Sequence, residues 1–272
     1  MAARKSLGQH FLLDPDLLAR IVRAAGSLAG MQVIEVGPGP GGLTRALLAS
    51  EAVAVTAIEI DPRAVAAMRD LQDRHPTRLS VIEADAATLD LATLVGAPRA
   101  IIANLPYNVG TALLVDWLSR ASAFQVMLLM FQAEVAARIV AQPGDGAYGR
   151  LAVLAQLTVQ ADMVMGVPAR AFAPPPKVDS ALVRLIPHPQ QPEQRELGVV
   201  GQLTAAAFGQ RRKMLRASLR GIDAVSLLEA VAIDPQRRAE TVPPHAYLAM
   251  ARHAIAMGHP IATPKAGPLI RG

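Results

Sequence analysis

Short apolar runs alternate with amphipathic stretches along the first two thirds of the chain. The runs at 31–36, 53–60, 79–84, 99–103 and 124–131 read as buried strands, the first three each ending in a glycine loop or an acid. Between them, apolar positions recur at helical spacing near 42–50, 62–74, 108–120 and 132–141. An earlier helix is opened by Asp14-Pro15, a cap followed by a first-turn proline. Strand and helix in strict alternation predict an α/β fold with a doubly wound, Rossmann-like parallel sheet.

The pattern changes after the Gln142-Pro-Gly-Asp-Gly146 loop. A helix is followed by two β-like segments, 162–168 and 178–186, whose short proline-rich link suits an added antiparallel pair at the sheet edge. The stretch Pro187-His-Pro-Gln-Gln-Pro192 marks a boundary, and the residues beyond it have helical spacing. The expected organisation is a large domain over 1–186, a small all-helical domain over 187–257, and a loose tail at 258–272.

Candidate chemistry sits where strands end. Asn104-Leu105-Pro106-Tyr107 directly follows the apolar run Ala100–Ala103, at the exposed end of a buried strand. The Asn carboxamide oxygen and the Leu105 carbonyl can accept hydrogens from an exocyclic amine, Pro106 contributes no competing N–H, and the Tyr107 ring offers a face to a planar base. The same four residues would also make an ordinary strand-to-helix turn with Asn as a local cap.

Upstream, Val33-Ile34-Glu35-Val36 runs into Gly37-Pro38-Gly39-Pro40-Gly41-Gly42 and then a helical pattern, the form of a nucleotide-cofactor cradle. The spacing Gly37-x-Gly39-x-Gly41 is one residue short of the dinucleotide fingerprint, and Pro38 and Pro40 remove two N–H donors. A ligand without phosphates suits it better. The next two strands end in acids, Glu59 and Asp61, then Asp85. Glu59 can take both hydroxyls of a ribose and Asp85 an adenine amine, although each acid would also serve as a turn cap.

These residues, with Gly8-Gln9-His10-Phe11-Leu12, Phe172-Ala-Pro-Pro-Pro-Lys-Val-Asp-Ser180 and Phe208-Gly-Gln-Arg-Arg-Lys213, resemble the S-adenosylmethionine-dependent ribosomal RNA adenine dimethyltransferases over roughly residues 4–257. The resemblance implies a methyltransferase fold with S-adenosyl-L-methionine held by His10, Leu12, Gly37, Gly39, Glu59, Asp85 and Asn104. It implies an acceptor site built from Asn104, Leu105, Pro106 and Tyr107, with Phe172 covering the second face of the adenine or simply packing in the core. The Pro-Pro-Lys-Val-Asp-Ser form points to the small-subunit branch, which dimethylates two adjacent adenines near the 3′ end of 16S ribosomal RNA. The antibiotic-resistance branch, acting on large-subunit RNA, is the second reading. His10 stands where many members carry Asn, which introduces a group able to titrate.

Composition narrows the alternatives. With no cysteine, a zinc-thiolate site, disulfide framework or thiol nucleophile is excluded, and the six histidines show no paired metal spacing, so no metal is expected. The longest dense apolar run, Val126–Phe131, is far shorter than a membrane span, and Arg4 and Lys5 precede no apolar signal core. A cytoplasmic protein with no membrane contact and no obligate protein partner is expected. Residues 1–186 carry 16 Lys and Arg against 16 Asp and Glu, and the remaining 11 and 6 lie beyond them. The positive excess is therefore C-terminal, where Arg211, Arg212, Lys213, Arg216 and Arg220 cluster. At four-residue spacing Arg212, Arg216 and Arg220 predict one basic helical face, with Leu215 and Leu219 packed beneath. A solvated face is one reading; beside an adenine site, an RNA phosphate contact is the other.

Two further classes compete. A binding-only relative would have no need of both the cofactor loop and Asn-Leu-Pro-Tyr. A DNA adenine methyltransferase commonly carries Pro-Pro-Tyr after its Asp or Asn and a dedicated reading domain, whereas Leu105 and a small basic domain favour RNA.

Overall fold

The structure, a computed structural model, describes residues 9–210, 212–220 and 224–258. In chain order the first elements are β1 (Phe11–Leu12), α1 (Pro15–Ala24), β2 (Gln32–Val36), α2 (Gly42–Leu48), β3 (Ala54–Glu59), α3 (Pro62–Arg74) and β4 (Leu79–Glu83). There follow β5 (Arg99–Asn104), α4 (Gly110–Ser119), β6 (Val126–Gln132), α5 (Ala133–Val140), α6 (Arg150–Thr158) and β7 (Val159–Val167). The last are β8 (Phe172–Ala173), β9 (Ser180–Pro187), α7 (Gln194–Gly209), α8 (Leu215–Ser218), α9 (Ala224–Ala230) and α10 (Pro244–Ala256). The chain forms two compact units, one of residues 1–136 and 161–187, the other of 137–160 and 188–272.

The first unit is built on a seven-stranded sheet in the order β4-β3-β2-β5-β6-β9-β7. The five strands from β4 to β6 are parallel, and β9 runs antiparallel to β6 with Met130 opposite Leu182. Parallel strands are covered on both faces and so read as continuous apolar runs. Val126 to Phe131 is buried at every position, which is why period-two alternation is missing from it. Leu18 and Ile21 of α1 and Leu47 of α2 pack with Val33, Val55 and Leu128 in one core.

Topology places the site. From β2 the chain steps outward to β3 and β4, then returns to β5 on the other side of β2. Loops leaving β2 and β5 therefore diverge, and ligands in open parallel sheets bind at such a point, beyond the carboxyl ends of the strands. A second, two-stranded sheet closes over this end: β1 pairs antiparallel with β8, Phe11 opposite Ala173 and Leu12 opposite Phe172. Sequence periodicity gives no sign of that pairing, since two residues are too few to carry a pattern.

The second unit differs from the expected 187–257 boundary in also containing 137–160. Its core explains why: Ala152, Val153 and Leu157 of α6 are buried with Val200, Leu203, Tyr247 and Met250 of α7 and α10. Tyr148 donates to the Val242 carbonyl at 2.9 Å and Tyr247 to that of Ala239 at 3.0 Å, so both buried phenols are satisfied. Phe208 lies against both rings, with centroids about 6 Å away.

Candidate active site

A cavity of about 300 Å³ opens at the β2/β5 divergence. His10, Leu12, Gly37, Gly39, Glu59, Asp85, Asn104, Leu105, Pro106 and Tyr107 all line it. Residues separated by up to 97 positions in sequence are thus brought to one concave surface by the crossover topology.

The glycine loop donates almost nothing outward. The Gly37 N–H is bound to the Ile58 carbonyl at 2.9 Å, that of Gly39 to Glu59 Oε2 at 3.1 Å and that of Gly41 to the Pro38 carbonyl at 3.0 Å, while Pro38 and Pro40 have none. Five successive positions therefore offer no spare N–H to a phosphate. Gly39 is required twice over: its φ is +54°, and a Cβ there would stand 2.8 Å from the Phe11 ring. Arg45 fastens the loop from α2, its guanidinium donating to the carbonyls of Pro40 and Gly41, each at 2.9 Å.

The acids have distinct environments. Glu59 is 5% exposed and accepts from the backbone N–H groups of Ile60 and Asp61, both at 2.9 Å, as well as from Gly39. With roughly four acceptor sites on a carboxylate, this fixes its orientation and leaves capacity toward the cavity. Asp61 does not line the cavity: it caps α3, takes Arg63 at 2.6 Å and Gln9 at 3.0 Å, and the Arg63 guanidinium holds its carboxyl far below the usual carboxylate range. Asp85 lines the cavity yet is exposed, and accepts from the Ala87 N–H at 2.9 Å. The cap and cavity readings thus both apply to it.

Among the described residues, no Lys or Arg lines the cavity. Acids, consumed backbone donors and a wall without cations fit a ligand that is cationic and phosphate-free, as a sulfonium nucleoside is. Among the described residues no group of three or more His, Cys, Asp or Glu could hold a metal ion.

At the end of β5 the Asn104 amide is turned by a specific partner. Its Nδ2 donates to the His10 carbonyl at 3.1 Å, and since a carbonyl only accepts, the amide oxygen must be the other end. That Oδ1 and the Leu105 carbonyl accept no hydrogen bond from the described residues. Tyr107 is half-buried, its hydroxyl 2.6 Å from Ser180 Oγ and its ring stacked on His10, with centroids 5.8 Å apart. His10 Nδ1 in turn bonds the Pro174 carbonyl at 2.8 Å, which requires the proton on Nδ1 and leaves Nε2 as the acceptor of the neutral ring. The N-terminal, Asn-Leu-Pro-Tyr and Pro-rich motifs therefore form one hydrogen-bonded assembly.

Two expectations are corrected. Phe172 is 4% exposed, pairs with Leu12 through β8 and belongs to the core, so it does not line the cavity. The basic run is not one helical face, because α7 ends at Gly209, Met214 is extended and bridges to Arg238, and α8 spans only Leu215–Ser218. Leu215 and Leu219 are fully buried, whereas Arg212, Lys213, Arg216 and Arg220 are exposed. Arg211 lies outside the described residues. Sequence reasoning assigned no role to Ser180, Gln9 or Glu35; Glu35 had a visible signal, a lone acid inside the apolar run Val33–Val36.

Comparison with known proteins agrees with this geometry. A family model described as ribosomal RNA adenine dimethylase matches residues 1–255. The ribosomal RNA small subunit methyltransferase A of Gluconobacter oxydans is 56% identical over 240 residues, covering 88% of this chain and 79% of that protein. Its counterpart in Rhodopseudomonas palustris is 54% identical over 257 residues, covering 92% and 89%. Among solved structures, a dimethyladenosine transferase from Plasmodium falciparum superposes with a TM-score of 0.79 at 26% identity, over 92% of this chain and 99% of that one. The 23S rRNA methyltransferase ErmE does so at 0.67 and 30%, over 89% and 98%. The chain belongs to the ribosomal RNA adenine dimethylase family of S-adenosylmethionine-dependent enzymes.

Proposed function

We propose that the enzyme transfers methyl groups to N6 of two adjacent adenosines near the 3′ end of 16S ribosomal RNA during small-subunit maturation, in the cytoplasm. The observation that carries this reading is the Asn104 amide, whose Nδ2 is committed to His10 so that Oδ1, with the Leu105 carbonyl, supplies two acceptors beside a cation-favouring cavity. An adenine amine is a poor nucleophile because its lone pair is delocalised into the ring. Two acceptors on its hydrogens localise that pair, which orients the amine and stabilises the charge it gains in attack. S-adenosylmethionine, when bound, supplies a methyl already activated on sulfonium, so no nucleophilic side chain is needed. The methylated amine then loses its proton to water.

Glu59 suits the ribose hydroxyls, Asp85 the cofactor's adenine amine, and His10, Leu12, Gly37 and Gly39 the remaining wall. Tyr107 presents the ring face opposite His10 to the target base, while Pro106 keeps the rim free of competing donors. The exposed Arg212, Lys213, Arg216 and Arg220, with Arg211, suit phosphates of the small-subunit RNA or its precursor. Identity above 50% to proteins named for the small subunit, against 30% to ErmE, favours 16S over 23S RNA. Primer extension across the 16S 3′ region in cells lacking the protein tests this: the stops at two adjacent adenines should vanish, and their persistence would refute the substrate assignment.

A further inference from the structure

Among the described residues that line the cavity, Glu35 is the one acid with no N–H donor. Its carboxyl, 1% exposed at the end of β2, accepts a single hydrogen bond, from the Thr44 hydroxyl to Oε2 at 2.6 Å. Oε1 accepts none from the described residues, and the residue lines the cavity. By contrast Glu59 on β3 receives three backbone N–H groups and Asp85 is exposed. Arg45 of α2 is tied to the Pro40 and Gly41 carbonyls, His10 to that of Pro174, and Arg63 to Asp61, so none of them neutralises a charge on Glu35.

We infer that Glu35 is a proton-linked cofactor-positioning residue: it holds its proton in the free enzyme and releases it to solvent as the cationic cofactor enters, becoming the counter-ion at the buried end of the cavity. This rests on the cavity being the S-adenosylmethionine site. Burial, with some help from the neighbouring Glu59 carboxylate, pushes the Glu35 carboxyl up to about 8. An arriving positive charge in the same low-dielectric space reverses that preference. Bringing in the cation and expelling the proton leaves the buried charge nearly balanced, whereas a carboxylate kept ionised in the free enzyme would be an uncompensated charge. The energetic sign for the free protein follows from the raised value. The folded chain binds more protons than the unfolded one between about 4.5 and 8, so the contribution of Glu35 to stability is present below that window and lost as pH rises through it.

Calorimetric titration of the full chain with S-adenosylmethionine at pH 7, in phosphate and in Tris, reads the proton directly. The wild type should release close to one proton per cofactor, seen as a heat that differs between buffers, and its affinity should tighten by up to roughly tenfold per pH unit from 6 toward 8. Glu35→Gln should bind with that release abolished; protons on the cofactor itself are common to both proteins and cancel. Should Glu35→Gln not fold, Thr44→Val serves instead: losing the hydroxyl that stabilises the charged form, it should move the release to higher pH. Buffer-independent heats in a wild type that binds normally, or release unchanged in Glu35→Gln, would overturn the inference. Failure of the wild type to bind S-adenosylmethionine at all would overturn the cofactor site as well.

Discussion

The Tyr107 hydroxyl lies 2.6 Å from Ser180 Oγ, joining the turn after β5 to the first residue of β9, itself 1% exposed. This bond, together with stacking on His10, holds the ring in place beside the cavity. Burial raises the Tyr107 phenol above its usual value while Ser180 opposes the rise. Burial drives Tyr148 and Tyr247 further up, so Tyr107 should be the first of the three tyrosines to ionise. Ser180→Ala should shift that first ultraviolet titration step upward. It should also lower turnover by roughly tenfold, the scale of one net hydrogen bond, with little change in cofactor affinity, and Ser180→Thr should restore much of the loss. An unmoved titration step would show that Ser180 does not hold the ring.

Glu59 meets three backbone N–H groups and faces the cavity, so its removal acts twice. Glu59→Ala should weaken S-adenosylmethionine binding by roughly 1–3 kcal/mol, the cost when hydroxyl donors lose a charged acceptor, and should lower the melting temperature. Calorimetry on the folded variant decides the ribose role, which unchanged affinity would rule out.

Asp61 makes the fold sensitive to acid. Because its carboxyl is held far below 3.8 by Arg63, with Gln9 assisting, the folded chain binds fewer protons than the unfolded one as pH falls through the ordinary carboxylate range. The stabilisation is complete above that range and is lost on acidification. Asp61→Asn can still cap α3, so it should lose stability at neutral pH yet show a flatter decline between about pH 5 and 2, measured by thermal melts. A decline as steep as that of the wild type would place the acid sensitivity elsewhere.

Arg212, Arg216 and Arg220 are exposed but do not share a helix. If they touch phosphates, the triple Arg→Gln variant should bind small-subunit RNA more weakly whatever the sequence. The slope of log affinity against log salt should fall by somewhat under one unit for each phosphate no longer neutralised, with cofactor affinity unchanged. A wild-type slope would make this surface merely solvated.

Legibility followed the range of the physics. Strands β2 to β6 and the site at their carboxyl ends could be read because buried parallel strands and glycine loops are local patterns, and the crossover rule then gathers Gly37, Glu59, Asp85 and Asn104 without further information. The β1–β8 pairing, and with it the burial of Phe172, joins segments about 160 positions apart and has no local signature. The expected basic face does not form because four-residue spacing describes any helix, whereas Met214 leaves the helical region to bridge Arg238. Likewise α6 joined the second unit through burial of Ala152 and Val153, which helical periodicity cannot assign to one core over another.

In the proposed reaction Asn104 is the acceptor that orients an adenine amine. The decisive measurement is mass-spectrometric mapping of 16S RNA in unmethylated small subunits after incubation with S-adenosylmethionine and either wild type or Asn104→Ala, at saturating cofactor. The wild type should place two methyl groups on N6 of each of two adjacent 3′-region adenosines. The variant should be slower by at least about a hundredfold, the range for removing a group that stabilises charge in the transition state. Methylation by the variant at the wild-type rate would remove Asn104 from that role, and wild-type methylation at any other position would refute the substrate.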